Sequence, residues 1–158
     1  MRLPEPLFLL INPTMRLLLR SPLHGLVSGS LMLIGFTGRR SGRRYTTPVR
    51  YVRAGEAIRC FTTQDTKWWR NLAGGAAVTL RIAGRDLAYQ AVAIADDVPR
   101  TRAALLEYLR AFPQDAAYHD VRMGPGREPL AADLERAAQH AVLVEALPRP
   151  RGDARPPA

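Results

Sequence analysis

One cysteine, one lysine, three histidines and only 14 acids against 23 basic residues mark this chain first by what it is short of. Cys60 alone can form neither an intrachain disulfide nor a cysteine-based zinc site. In the apolar stretch from Ile58 to Phe61 it reads as a small buried residue, and a cytoplasmic location is expected. His24, His119 and His140 fall into no H-x-x-x-H or H-E-x-x-H pattern, and Ser28, Ser30 and Ser41 sit in no nucleophile elbow. Neither a metal centre nor a hydrolase is therefore expected. No apolar run approaches the roughly 18 residues of a membrane span. Leu7 to Ile11 is stopped by Asn12-Pro13 too soon for a secretory signal.

What the chain has is arginine, and it is unevenly placed. Within the net charge of +9, the window from Phe36 to Arg59 holds Arg39, Arg40, Arg43, Arg44, Arg50, Arg53 and Arg59 against Glu56 alone. Four of these lie in Thr37-Gly38-Arg39-Arg40-Ser41-Gly42-Arg43-Arg44-Tyr45-Thr46-Thr47-Pro48. The two glycines suit a tight strand-to-strand connection and a close approach of backbone N–H groups to a ligand. Each guanidinium offers a planar fork of donors that matches phosphate or carboxylate. Charge alone leaves an anionic ligand, a nucleic acid and a solvated basic hairpin open. Nothing in the pattern resembles an RNA-binding fold, so no nucleic-acid partner is expected.

Around that loop the periodicity is mainly that of strands. Leu31 to Phe36 is a continuous apolar run, Tyr45 to Val52 alternates with Pro48 marking an edge or bulge, and Glu56 to Thr63, Ala76 to Ile82, Leu87 to Ala95 and Ala141 to Leu147 follow. Thr66 to Leu72 has the length of a short helix presenting Trp68 and Trp69. Asp97 caps a helix with an apolar stripe of Leu105, Leu106, Leu109 and Phe112, stopped by Pro113. Gln114 to Arg122 suits a short helix, Met123 to Pro129 a loop, and Asp133 to Gln139 one or two helical turns. These elements predict an antiparallel meander closing into a barrel with helical decoration, a mainly β (α+β) domain over residues 31–147.

Before that domain, residues 1–30 suit helices from Asn12 and around Leu23 to Ser28. Their greasy and basic character fits docking on the barrel, on a partner subunit or on a membrane surface. After it, residues 148–158 are proline, arginine, glycine and alanine, a composition expected to stay disordered.

Catalytic acid and base signals are thin, while an arginine loop, threonine hydroxyls and a tryptophan pair suit a cofactor with a phosphate tail and a flat ring. The loop with Thr46-Thr47-Pro48 resembles the T-G-R-[KR]-S-G-[KR]-x-x-T-x-P signature of the deazaflavin-dependent nitroreductase family. Trp68-Trp69-Arg70-Asn71-Leu72 is similar to its W-Y-x-N-L helix, and Phe112-Pro113 through Tyr118 to its Y-P-x-Y-x-x-Y segment. The resemblance implies an FMN-binding split β-barrel with peripheral helices, a fold that commonly forms homodimers, and use of coenzyme F-420.

By position, it implies that Arg39, Arg40, Ser41 and Arg43 grip the acidic tail of the cofactor. It sets Thr46, Thr47, Pro48 and Val49 along the deazaflavin and Thr62, Thr63 and Gln64 at the phosphate or ring. Lys67, Trp68 and Asn71 come next to it, with Tyr118 facing the acceptor as a hydrogen-bonding or proton-donating group. The implied reaction is hydride transfer to a small electron acceptor: a quinone, nitro compound or activated alkene. The stretch Thr63-Gln64-Asp65-Thr66-Lys67 is shorter than the corresponding loop of the family. Relatives in the superfamily carry FMN, FAD or haem, which stand as alternatives, and a non-catalytic binder of a flavin, haem or lipid-like ligand on the same barrel is the alternative function, with a nucleic-acid or membrane-surface binding protein third.

Overall fold

The computed structural model describes residues 30–150. The helices expected near Asn12 and Leu23, and the tail beyond residue 150, lie outside the described residues. Seven strands form one antiparallel sheet: β1 (Leu31–Thr37), β2 (Arg44–Arg50), β3 (Val52–Ala54), β4 (Ala57–Thr63), β5 (Ala76–Ile82), β6 (Arg85–Ile94) and β7 (Ala141–Pro148). Two α-helices, α1 (Val98–Ala111) and α2 (Ala131–His140), and three short 3-10 helices, Trp68–Leu72, Pro113–His119 and Pro125–Arg127, complete the described chain. Among the described residues no helix is long and apolar enough to cross a membrane.

The sheet is not the expected meander. Its order is β2-β1-β5-β6-β7-β4-β3, three hairpins with β7 inserted between β6 and β4, so that the chain's second and third strands lie at opposite edges. Yet only Tyr51 separates β2 from β3, so the sheet must curl until its edges meet. Tyr51 sits buried at that junction, its N–H donating to the Ser30 carbonyl at 2.9 Å. The break explains why Tyr45 to Val52 is not one strand: the first part belongs to one edge and Val52 already pairs with Arg59 on the other. Pro48 is tolerated because β2 is an edge.

Two cores follow from the alternation of side chains along each strand. Met32, Ile34, Phe36, Ile58, Cys60, Leu80, Val144 and Ala146 fill the inside of the curl. Phe61, Ile94, Ala141 and Leu143 point outward and meet Leu105, Tyr108 and Leu109 of α1 and Leu134 and Ala137 of α2. β7 serves both cores, which is why its first half, Ala141 to Val144, is continuously apolar rather than alternating. The strand runs to Pro148, and the Arg149 N–H donates to the Ala88 carbonyl at 3.1 Å, so paired backbone extends past Leu147.

The helices form for local reasons. Asp97 caps α1, accepting from the Arg100 N–H at 3.2 Å, and Pro99 stands in the first turn. α2 has ten residues, nearly three turns, where one or two were expected. Its first turn is held by a buried Asp133 that accepts from the Arg122 N–H at 3.0 Å and from Arg122 Nε at 2.8 Å. Cys60 is 1% exposed, and burial pushes its thiol up to about 12, so it is inert at physiological pH.

Candidate active site

The arginine loop is a closed turn. The Gly38 N–H donates to the Arg43 carbonyl at 2.7 Å and the Gly42 N–H to the Gly38 carbonyl at 2.9 Å. Gly42 takes φ +68, a left-handed conformation that favours glycine. A Cβ at Gly38 would come within 2.6 Å of Ser41 Oγ and 2.7 Å of Tyr45 Cε2, so any larger residue must displace those two side chains. Ser41 Oγ accepts from the Arg43 N–H at 3.2 Å and lies 3.3 Å from the Tyr45 hydroxyl. Arg44 is engaged, donating to Thr37 Oγ1 and Thr79 Oγ1 at 3.4 and 3.5 Å. The side chains of Arg39, Arg40 and Arg43 are exposed and have no carboxylate partner among the described residues.

The 3-10 helix Trp68–Leu72 docks on this loop through Asn71. Its Oδ1 accepts from the Arg39 N–H at 2.8 Å, while its Nδ2 donates to the Trp68 carbonyl at 2.9 Å. One side chain therefore fixes both the loop backbone and the turn that carries Trp68. Phe36 lies between Tyr45 and Trp68, with ring centroids 5.9 Å from each. Trp69 packs against the inner core beneath Arg70, whose guanidinium stands 5.4 Å over the indole.

The main cavity, about 610 Å³, occupies the seam where the curled sheet fails to pair. β3 covers β4 only as far as Arg59, leaving Cys60 to Thr63 without a partner on that side. β2 faces the gap with its own unpaired edge, so Thr46 and Thr47, from opposite faces of the strand, both line it, and Phe61 and Thr62 line it from β4. From Tyr45 to Arg50 the β2 wall spans about 17 Å at about 3.4 Å per residue.

At the end away from the loop the walls become charged and aromatic. Tyr108 of α1 donates its hydroxyl to Asp115 Oδ2 at 2.5 Å, and Arg50 Nε lies 2.9 Å from the same oxygen. Arg50 Nη1 donates to Ser30 Oγ at 2.9 Å, and the guanidinium stacks 5.1 Å over Phe112. Burial, then the hydrogen bond to Asp115, raises the Tyr108 phenol well above the ordinary tyrosine range, so it stays a donor. Tyr118 and His119 are edge-on at 5.0 Å, and His119 meets Phe61 at 6.2 Å.

Of the residues expected from sequence, Thr46, Thr47, Val49, Thr62, Lys67, Trp68, Asn71 and Tyr118 line this cavity, and Arg39, Arg40, Ser41 and Arg43 stand on the loop joined to it by Asn71. Pro48, Thr63 and Gln64 do not line it. Pro48 is opposite Leu33 in the β1 ladder. Thr63 is buried and its hydroxyl is taken by Asp65. Gln64 clamps the end of α2, its Nε2 donating to the Ala95 and Gln139 carbonyls at 3.3 and 3.1 Å. Sequence reasoning missed Phe36, Tyr45, Arg50, Phe61, Thr66, Tyr108, Asp115 and His119, which also line the cavity. Asp115 alone left a signal: it stands at the second aromatic position of the Y-P-x-Y-x-x-Y segment.

A sheet of this order, curled and left unpaired along one seam, defines the flavin and deazaflavin split β-barrels. The family model of the F420H(2)-dependent quinone reductases matches residues 21–132, and the chain belongs to that family. It is thus an oxidoreductase, a deazaflavin-dependent reductase. Among solved structures it is similar to a domain-swapped dimer at 18% identity and TM-score 0.51, over 89% of this chain and 98% of that one. An F420 reductase matches at 18% identity and TM-score 0.47, over 85% of this chain and 93% of that one. The FAD and haem binding protein of Mycobacterium smegmatis matches at 17% identity and TM-score 0.44, over 78% and 66%. At these identities the likeness is one of fold. No curated protein matches the chain.

Proposed function

We propose that this chain reduces small electron-poor organics, with quinones as the first class and nitro compounds and activated alkenes as further acceptors, at the expense of reduced coenzyme F-420. The observation that carries this reading is the hydrogen bond from the Arg39 N–H to Asn71, because Asn71 lines the cavity and so joins the arginine loop to it. The residues fit the cofactor. Three exposed guanidiniums without carboxylate partners among the described residues, on a tight turn packed by Gly38, Ser41 and Tyr45, suit an acidic tail. The long seam between β2 and β4 suits a flat ring system.

When bound, the reduced deazaflavin supplies a hydride. Arg39, Arg40, Ser41 and Arg43 hold the tail, with Lys67 beside them. Thr46, Thr47 and Val49 offer the β2 wall to the ring, and Trp68 and Phe36 exclude water from one side of it. Thr62 borders the same wall, its Oγ1 2.7 Å from Thr66 Oγ1. Tyr118, at the far end, hydrogen-bonds the acceptor or returns a proton to it once it has taken up charge.

The test is a titration of the purified protein with oxidised and reduced coenzyme F-420, FMN, FAD and haem, followed by menadione reduction. Saturable binding of F-420 and turnover with its reduced form are expected. Binding of FMN, FAD or haem with none of F-420 would replace the cofactor. The likeness to a domain-swapped dimer supports a homodimer, which light scattering on the purified chain tests. The basic, apolar N-terminal sequence supports contact with a membrane surface. Flotation of the full chain on anionic liposomes against one lacking Met1 to Arg20 tests that contact, and equal recovery would remove it.

A further inference from the structure

The end of the cavity away from the arginine loop holds a half-buried charge pair that a hydride site lined by aromatics does not require. Asp115 Oδ2 already takes two donors, the Tyr108 hydroxyl at 2.5 Å and Arg50 Nε at 2.9 Å. Asp115 Oδ1 has no hydrogen-bond partner among the described residues, although the side chain is only 22% exposed and lines the cavity. The guanidinium beside it is spent on Asp115, on Ser30 Oγ and on the face of Phe112. What this end offers a ligand is therefore a fixed carboxylate oxygen seeking a donor, in a place half shielded from water.

We infer that Asp115, held by Arg50 and Tyr108, is the acceptor-specificity residue, selecting neutral acceptors that carry a hydroxyl or N–H group and rejecting anionic ones. The inference rests on the reductase reading for its location, since it makes this end the acceptor end. The opposite preference of the two ends supports it. The loop end collects anions, and about 17 Å of β2 separates it from Asp115, beyond the screening length of about 8 Å at physiological salt. A molecule with an acidic tail and a second, hydroxyl-bearing molecule would then sort to opposite ends without competing. A hydrogen bond to an ion-paired carboxylate in such a place discriminates more sharply than one in open water.

The probes are menadione, its hydroxymethyl analogue and naphthoquinone sulfonate, read in two ways: quenching of tryptophan fluorescence, which Trp68 in the cavity wall reports without any cofactor, and kcat/KM with reduced coenzyme F-420. The wild-type chain is expected to bind the hydroxymethyl analogue about tenfold more tightly than menadione, with the sulfonate weakest. Asp115→Leu should erase the first preference. Asp115→Asn should improve the sulfonate relative to menadione by about tenfold, because Arg50 is left without its counter-charge. The double variant Arg50→Gln/Asp115→Asn carries neither charge, avoids stranding one in the cavity, and should lose the hydroxymethyl preference while showing native circular dichroism. Equal wild-type affinity for menadione and its hydroxymethyl analogue, or the same ratios in wild type and in the folded double variant, overturns the inference. Quinone selectivity that follows Asp115 in a chain that does not bind F-420 would support it and strike the cofactor reading alone.

Discussion

Gly38 shows how much a single position can demand. The space its side chain would need is already filled by Ser41 Oγ and the Tyr45 ring. Gly38→Ala should therefore displace the Ser41 and Tyr45 side chains, cost about 1 kcal/mol, the low end for overpacked substitutions, and weaken F-420 binding by disturbing the turn that sets the Arg39 N–H on Asn71. Urea unfolding and the cofactor titration read the two effects, and an unchanged affinity would detach the loop from the site. This residue was legible in the sequence because glycines flanked by arginines between two strands leave few alternatives. Arg50 was not: it is an ordinary charge in its own segment, and it meets Asp115, whose one signal was its place in the Y-P-x-Y-x-x-Y segment, only because the sheet curls. Gln64 misled for the converse reason, since its place beside Thr62 in sequence says nothing of the side chain turning toward Gln139 and Ala95.

At the scale of elements, strand positions were readable and strand order was not. Each apolar run announced itself, but hairpin signals speak only of sequence neighbours, whereas β1 with β5 and β7 with β4 are pairings across long stretches of chain. The start of α2 was hidden similarly: its alanines favour a helix, but Leu130 offers no side-chain cap, and a tertiary contact of Asp133 with Arg122 holds the first turn instead. The Arg122 side chain and backbone N–H, joined by Arg136 Nη2 at 3.3 Å from Oδ1, hold the Asp133 carboxyl well below the usual carboxylate range. A carboxylate whose pKa is depressed on folding contributes stability that is complete above the unfolded value, near about 3.9, and that drains away as pH falls through the lower, folded one. Asp133→Asn should lower Tm at neutral pH, and its loss of Tm on acidification should be shallower than that of the wild type. Parallel acid limbs for the two proteins would show that Asp133 is not the group being protonated.

For the whole molecule, the curl of the sheet and the placement of charge act together. Because β2 is an edge, the loop at its start projects free of the sheet, and the seam at its flank remains open for a ring. The net charge of +9 then has a focus, since Arg39, Arg40 and Arg43 stand exposed at one end of the cavity while other arginines are bound to acids, as Arg59 and Arg100 are to Glu145 at 2.9 and 2.7 Å. If an acidic tail binds there, affinity should fall steeply as ionic strength rises from about 0.1 M to about 1 M, which shortens the screening length from about 10 Å to about 3 Å. Arg39→Ala/Arg43→Ala should weaken F-420 binding by tenfold or more, on the order of one or two charge-assisted hydrogen bonds, and should flatten that salt dependence. Arg85→Ala, an exposed arginine at the start of β6, removes a positive charge away from the loop and should change neither. A salt slope that falls equally in both variants would mean that the whole field of the protein steers the anion, and that the loop does not grip it.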